Sequence, residues 1–381
     1  MHLFLSAGEP SGDLHGANLA RELLARNPAI ELVGFGGDRM AAAGVKLHFP
    51  LADLSVMGVK AVFKHLPTFF KLARQAEVYF RSRKPDAVVL IDYPGFNFAL
   101  MNRAFRSRIP VYYYVPPQVW AWHTSRVKQM RRQLAGVLTA LPFEDDWYRS
   151  HGCRTSYIGH PYFDELQHQR PDEEWMADRR AAGGRIVALL PGSRGQEVAA
   201  NGRLMIDAAK VISSAVPTAR FLVAAFKEQH ARSIRELLVG SSLPVEVHVG
   251  RTPEIIRLAE ASLAVSGSVG LELLGNLVPT VVVYKTSRAF AWLATRVSPL
   301  KYMSLVNLLA DRPLFPEVGG GSWTPAQVAG PVIRWLTDPA ARDATVSDLR
   351  ELRSKVAVPG ACGRAAEFLL ADLARIASQR A

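Results

Sequence analysis

The sequence predicts an α/β fold of two Rossmann-like, doubly wound domains facing a cleft. Two observations lead there. Short, continuously apolar runs alternate with helical stretches, and a polar, charged break near the middle is followed by a second series of the same kind. Runs without polar alternation suit parallel strands covered on both faces, and repeated strand–helix alternation suits a doubly wound parallel sheet. A chain of 381 residues, 49% of them hydrophobic, has the length and apolar content for about two such domains.

In the first series His2–Ala7 reads as a strand, Gly8 to Asp13 as a turn, and 14–26 as a helix. Glu31–Phe35 reads as a second strand ending at Gly36-Gly37, and Ala87–Ile91, 111–115 and 136–140 as further strands. Residues 167–180 carry Arg170, Asp172, Glu173, Glu174, Asp178, Arg179 and Arg180, with Gly183-Gly184 behind them, and read as a linker plus surface helix. Strands then follow at 186–190, 220–224, Val245–Val249, 263–265 and Thr280–Tyr284. Residues 363–381 are helical in pattern and could fold back onto the first domain. The expected division is therefore 1–165, 166–350 and a C-terminal helix within 351–381.

The net charge of +12 attracts anions, whether nucleic acid, an acidic membrane face or phosphorylated small molecules. Two cysteines, Cys153 and Cys362, lack metal-ligand spacing and fit a reducing compartment. The N-terminus runs straight into a short strand, so no signal peptide is expected. The most membrane-like stretch, 265–284, is interrupted by Glu272, Asn276 and Pro279. It fits a strand, turn, helix and strand better than a span of about twenty apolar residues.

Five segments carry candidate chemistry. Gly8-Glu9-Pro10-Ser11-Gly12-Asp13 leaves the first strand, where helix N-termini of open sheets offer N–H groups to ligands. Ser11 and Asp13 can cap the helix, and a capped turn with no ligand fits as well. The segment lacks the GxGxxG fingerprint, so no nicotinamide cofactor follows. Ile91-Asp92-Tyr93-Pro94 puts a carboxylate at a buried strand end, where it could deprotonate an acceptor hydroxyl; an Asx-turn before Pro94 is the competing account. Tyr112-Tyr113-Tyr114 with Pro116-Pro117, Trp120 and Trp122 reads as core or as an aromatic wall. Arg126, Lys128, Arg131 and Arg132 then follow at helical spacing, a pattern that also suits a solvated face.

Leu190-Pro191-Gly192-Ser193-Arg194-Gly195-Gln196-Glu197 opens the second series. Backbone N–H groups of such a turn can hold a diphosphate, and Arg194 adds a fork-shaped positive charge. Without a Gly-Lys-Ser/Thr ending, ATP hydrolysis is disfavoured. Ser266-Gly267-Ser268-Val269-Gly270-Leu271-Glu272 starts a helix after a strand. There N–H groups suit phosphate and Glu272 can accept ribose hydroxyls, or Glu272 simply complements the helix dipole.

In order and over nearly the whole chain, these segments resemble the lipid-A-disaccharide synthases, a GT-B-type glycosyltransferase family. The resemblance also takes in Val56-Met57-Gly58, Phe96-Asn97, Val119 to Trp122, Leu141-Pro142-Phe143-Glu144, Ile158-Gly159-His160 and Asn307-Leu308-Leu309-Ala310. It implies transfer from UDP-2,3-diacylglucosamine to 2,3-diacylglucosamine 1-phosphate, giving a β-1,6-linked disaccharide 1-phosphate and UDP with inversion. Asp92 becomes the implied base on the acceptor 6-hydroxyl. Gly192, Ser193 and Arg194, with Glu197, would serve the diphosphate; Ser266, Gly267 and Ser268 would add donors. Glu272 would take the ribose, Asn307 would lie near the nucleotide, and Gly8, Glu9, Ser11, Gly12 and Asp13 would line the acceptor side. No metal and no other cofactor is implied, because Arg and helix termini take that part. Two departures stand out: Gly95 where the family often has a second acid, and Ser268 followed by Val269-Gly270 where it has Thr.

Both substrates carry acyl chains, so residues 56–80 bear on how they are reached. Val56, Met57, Val59, Val62, Phe63, Leu66, Phe69, Phe70, Leu72 and Tyr79 are interspersed with Lys60, Lys64, Lys71 and Arg74, and Pro67 should kink or divide the segment. Such a pattern suits an interfacial helix on anionic lipid or an amphipathic helix packed on the sheet. The expected setting is cytoplasmic, peripheral on the inner face of the cytoplasmic membrane, with room for a homo-oligomer. No nucleic-acid partner is expected, since no recognised motif accompanies the charge. The competing readings are another GT-B-like enzyme acting on UDP-N-acetylhexosamine (a transferase or an epimerase), a basic nucleic-acid-binding module, and a non-catalytic lipid carrier.

Overall fold

A computed structural model describes residues 1–52, 66–121, 123–284, 301–319 and 323–379. The chain divides into two compact units, one of residues 1–165 with 358–381 and one of residues 166–357.

In the first unit seven strands form one parallel sheet: β1 (His2–Ala7), β2 (Glu31–Phe35), β3 (Lys46–Phe49), β4 (Ala87–Ile91), β5 (Val111–Tyr114), β6 (Gly136–Thr139) and β7 (Thr155–Tyr157). Their spatial order is β3-β2-β1-β4-β5-β6-β7, so the winding reverses between β1 and β4. Ala7 pairs with Ile91 at that point, which brings the two strand ends side by side. One face of the sheet packs Leu3, Leu5 and Val89 against Leu19 and Leu23 of the helix Pro10–Arg26 and against Ala365 and Leu369 of the helix Ala361–Ser378. The last helix is further tied by Asp372, whose carboxylate accepts from Tyr112 Oη and from both terminal nitrogens of Arg154, each at 2.7 Å. Asp164 anchors its start, accepting from the N–H groups of Gly360, Ala361 and Cys362.

In the second unit six parallel strands are β8 (Arg185–Leu190), β9 (Ala219–Ala225), β10 (Val245–Val249), β11 (Ala261–Val265), β12 (Thr280–Tyr284) and β13 (Glu317–Gly319). Their order β10-β9-β8-β11-β12-β13 reverses between β8 and β11. The core gathers Val187, Leu189 and Leu263 of the sheet with Val328, Val332 and Trp335 of the helix Pro325–Thr337. The apolar stretch 265–284 is a strand end, the helix Val269–Gly275 and a strand. Among the described residues no helix is long and apolar enough to cross a membrane.

Two details of the first helix differ from expectation. The first helix begins at Pro10, so Ser11 to Asp13 form its opening turn; Pro is well suited there because its missing N–H has no intrahelical acceptor anyway. Glu9 holds the cap position, so neither Ser11 nor Asp13 is the cap. Pro67 is the second residue of the helix Leu66–Arg83, a position that tolerates proline. The rest of the 56–80 segment, Val56, Met57, Val59, Lys60, Val62, Phe63 and Lys64, lies outside the described residues, as does Trp122. The described helix buries Leu72, Ala73, Ala76 and Phe80, with Phe80 edge-on to Phe4, and exposes Leu66, Phe70 and Val78.

Two buried histidines make the first unit sensitive to acid. His15 and His160 meet edge to face with ring centroids 5.7 Å apart. Burial pushes His15 down to about 4, against the opposing charge of Asp164. Burial, and then the charge of His15, pushes His160 down to about 3. Both values lie below the ordinary one near 6.5, so these rings take up protons on unfolding. Their contribution to stability is whole above pH 6.5 and is lost progressively below it, completely by about pH 4 for His15 and about pH 3 for His160. At about 1.4 kcal/mol per unit, the shift of His15 alone corresponds to about 3 kcal/mol. Denaturant melts between pH 7 and 4 should show this loss, and His15→Gln should flatten the dependence; an unchanged slope would refute it.

Candidate active site

The reversal between β1 and β4 is where an open parallel sheet leaves room for a ligand beyond its strand ends. Gly8 and Glu9 leave β1 there, and Asp92 leaves β4. Asp92 and Tyr93 both adopt left-handed backbone, φ 45° and 48°, uncommon for residues with a side chain. The strained pair is held by Asn97, buried in the first turn of the helix Pro94–Arg106. Its amide donates to the carbonyls of Asp92 at 2.8 Å, Ile91 at 3.1 Å and Ser6 at 3.2 Å, and its oxygen accepts from Ser6 Oγ at 2.7 Å. Tyr113 Oη donates to the Asp92 carbonyl as well, at 2.8 Å. Strain that the surroundings over-determine is characteristic of functional sites.

Tyr93 reaches back over the other loop. A Cβ added at Gly8 would fall 2.0 Å from Tyr93 Cδ1, so this glycine is what lets the ring approach. Burial pushes the Tyr93 phenol up to about 12, and the Glu9 carboxylate adds to the rise. At Gly95, by contrast, an added Cβ meets nothing within 4 Å. Gly8→Ala should therefore cost about 1–3 kcal/mol through overpacking, whereas Gly95→Ala should be neutral or stabilising by up to about 0.5 kcal/mol. Thermal melts of the two variants check the contrast.

Ser11 is half-buried and Gly12 packs at ordinary contact on Ala7. Asp13 is committed to the fold: its carboxylate accepts from the N–H groups of Gly37 at 2.7 Å and of Arg39 and Met40 at 3.1 Å, capping the helix Asp38–Ala42. The three tyrosines of β5 are all fully buried, so they belong to the core.

One acid of this unit escaped the sequence reading as a site residue. Glu144, 2% exposed, accepts from Trp120 Nε1 at 2.9 Å and from the Ala140 N–H at 3.3 Å. Burial pushes it up to about 7 against those donors, and the charge of Asp92 contributes a smaller rise. Its place in Leu141-Pro142-Phe143-Glu144 was a family signature with no partner visible in sequence.

In the second unit the corresponding reversal lies between β8 and β11, with Leu190 paired to Ala264. Gly192 turns the chain at φ +115°, a left-handed conformation that favours glycine. Arg194 then caps the 21-residue helix Gly195–Ala215. Glu197 folds back onto this turn: Oε2 accepts from the N–H groups of Ser193 at 3.2 Å and Arg194 at 3.3 Å, and Oε1 from Arg194 Nη1 at 3.1 Å. A carboxylate thus sits on N–H groups of the kind that hold phosphate oxygens.

From β11, Ser266 donates its hydroxyl to the Met303 carbonyl at 2.8 Å, Gly267 stands open, and Ser268 caps the helix Val269–Gly275. Glu272 is buried one turn in and accepts from Gln169 Nε2 at 3.3 Å. Asn307 is fully buried and, like Asp13, serves the fold. It donates to the Phe315 carbonyl at 2.8 Å and to Glu317 Oε1 at 2.7 Å, and it accepts from the Phe315 N–H at 2.8 Å. Glu317, which sequence reasoning missed, also accepts from the N–H groups of Met303 and Ser304. The Ser266 loop is therefore braced through Met303, Glu317 and Asn307. Among the described residues no cluster of three or more His, Cys, Asp or Glu side chains could hold a metal ion.

Gly8, Glu9, Ser11, Gly12, Asp13 and Asp92 thus gather at one strand-order reversal. Gly192, Ser193, Arg194, Glu197, Ser266, Gly267, Ser268 and Glu272 gather at the other, with Asn307 behind them.

Comparison with known proteins gives this arrangement a family. The family model described as lipid-A-disaccharide synthetase matches residues 3–357. The lipid-A-disaccharide synthase of Myxococcus xanthus is 34% identical, covering 97% of this chain and 96% of its own. That of Chromohalobacter salexigens is 35% identical, with the same two coverages. Among solved structures, a putative UDP-N-acetylglucosamine 2-epimerase from Listeria monocytogenes superposes with a TM-score of 0.67 at 13% identity, over 97% of this chain and 94% of that one. The calicheamicin glycosyltransferase CalG4 gives 0.61 at 17% identity, over 99% of each chain. At such identities the structural likeness speaks for the GT-B-type fold alone, whereas the sequence match is specific. The chain belongs to the lipid-A-disaccharide synthase family and is a glycosyltransferase of lipid A biosynthesis.

Proposed function

We propose that this chain joins UDP-2,3-diacylglucosamine to 2,3-diacylglucosamine 1-phosphate, forming the β-1,6-linked disaccharide 1-phosphate and UDP. In this reading residues 1–165 take the acceptor and residues 166–350 the nucleotide sugar. Asp92 removes the proton of the acceptor 6-hydroxyl as its oxygen attacks the anomeric carbon from the face opposite UDP. The C–O bond to UDP breaks with its electron pair on the diphosphate, so the configuration inverts. Arg194, the N–H groups around Gly192 and Ser193, and the Ser266 to Ser268 turn neutralise that charge. Glu197, now on the same N–H groups, gives way to the diphosphate and fixes Arg194. Glu272 accepts from the ribose hydroxyls. Glu9, Ser11 and Gly12 line the acceptor side beside Gly8, while Asp13 and Asn307 act by holding the loops that carry the others.

The observation that carries the reading is the turn at Asp92, where two successive left-handed residues are clamped by a buried amide. Work at the inner face of the cytoplasmic membrane is part of the proposal. It is supported by Phe70, 69% exposed beside the exposed Lys71 and Arg74 on the described part of the 56–80 segment.

The test is an assay of UDP release with both acylated substrates and mass analysis of the product. Disaccharide 1-phosphate formed in step with UDP is expected. UDP released without disaccharide, or donor epimerised at C2, would sink the reading.

A further inference from the structure

The basic run after the aromatic segment has no part in the scheme so far, and one of its members stands apart. Arg126 closes the turn Thr124–Arg126 and caps the helix Val127–Gln133. Its guanidinium carbon lies 4.8 Å from the centroid of the Phe98 ring. Phe98 belongs to the helix that starts just after Asp92, and its ring packs on Tyr113 with centroids 6.2 Å apart. Tyr113 in turn donates its hydroxyl to the Asp92 carbonyl. Two rings therefore join Arg126 to the turn that carries the candidate base.

Several arginines of this unit are held by carboxylates: Arg103 pairs with Glu77, Arg149 with Asp145 and Arg154 with Asp372, while Arg131 and Arg132 of the same run are exposed. Arg126 is half-buried and has no carboxylate partner among the described residues. A guanidinium stacked on a ring keeps its edge open for a second ligand, and its planar fork matches phosphate oxygens. The phenol of Tyr113 feels both charges. Burial drives it well above the ordinary range, Asp92 adds to the rise, and Arg126 opposes it.

We propose that Arg126 binds the 1-phosphate of the acceptor sugar and so selects a phosphorylated acceptor over a neutral one. The proposal deepens the reading of Asp92 as base and rests on it. In a hexopyranose the 6-hydroxymethyl on C5 and the anomeric phosphate on C1 flank the ring oxygen. A base for the hydroxyl and a cation for the phosphate, on neighbouring elements of one unit, would fix the sugar at two points and align the hydroxyl for attack.

The experiment offers the full-length protein 2,3-diacylglucosamine 1-phosphate and 2,3-diacylglucosamine as alternative acceptors. The parent should prefer the phosphorylated one. Arg126→Ala and Arg126→Gln should each lose about tenfold or more of that preference through acceptor KM, with the KM for the UDP-sugar unchanged. Arg126→Lys should keep part of it. An undiminished preference in both neutral variants, or equal losses on both acceptors, would overturn the assignment. If the parent itself releases no UDP, the base at Asp92 fails as a reading, and calorimetric titration with glucosamine 1-phosphate and glucosamine decides for Arg126. Tighter binding of the phosphate form that Arg126→Gln abolishes supports the site, and equal affinities reject it.

Discussion

Asp92→Asn lowers turnover by about 10²–10⁴-fold, the range expected when a positioned general base is removed, while the protein stays folded. The substitution is chosen for its backbone. Asn tolerates the left-handed region at least as well as Asp, so φ 45° is kept and the amide clamp from Asn97 is untouched. Asp92→Ala would mix lost chemistry with a disturbed turn. UDP release under saturating acceptor and a thermal melt together separate the two. Near-parental turnover in Asp92→Asn would remove the base from the mechanism. A matching fall in melting temperature would mean that the turn, and not the proton, had been lost.

Arg194→Ala comes second, with about 10²–10³-fold lost from turnover if the guanidinium stabilises departing UDP. Its structural cost should be small. The pair with Glu197 is half-exposed, and such pairs contribute at most about 1 kcal/mol. Arg194→Lys should recover only part of the loss, because an ammonium lacks the fork that spans two phosphate oxygens. Steady-state kinetics with UDP-binding titrations test this. If UDP affinity and turnover both survive Arg194→Ala, the diphosphate lies elsewhere.

How much of this was legible in the sequence depended on whether the physics was local. Ala87–Ile91, Val245–Val249 and Thr280–Tyr284 were read to the residue because turn signals bound short, strand-like runs. The three strands that went unread, β3, β7 and β13, are all sheet edges of three or four residues with half-exposed patterns. An edge strand covered on fewer sides needs no continuous apolar run, so it leaves no such signal. The start of the first helix was misjudged because Gly8, Pro10 and Gly12 together look like a turn.

The candidate site divides the same way. Asp92, Arg194 and Glu272 were recognisable as polar residues just beyond buried strands. What holds them was not: Ser6 and Asn97 are 91 residues apart, and Glu317 braces the Ser266 loop from across a sheet edge. Glu144 and Trp120 find each other only after β6 and its following turn are in place. Likewise, nothing in their spelling distinguishes Arg126 from Lys128, Arg131 and Arg132.

The return of residues 358–381 to the first unit has a consequence for biosynthesis. The second unit is one uninterrupted stretch, 166–357, and all of it is made before residues 358–381. The first unit, though made earlier, must wait for Ala365, Leu369 and Asp372 before its sheet face is covered and Arg154 finds its partner. Translation order and maturation order are thereby inverted, and a chain made only as far as residue 357 would expose a half-finished apolar sheet to chaperones.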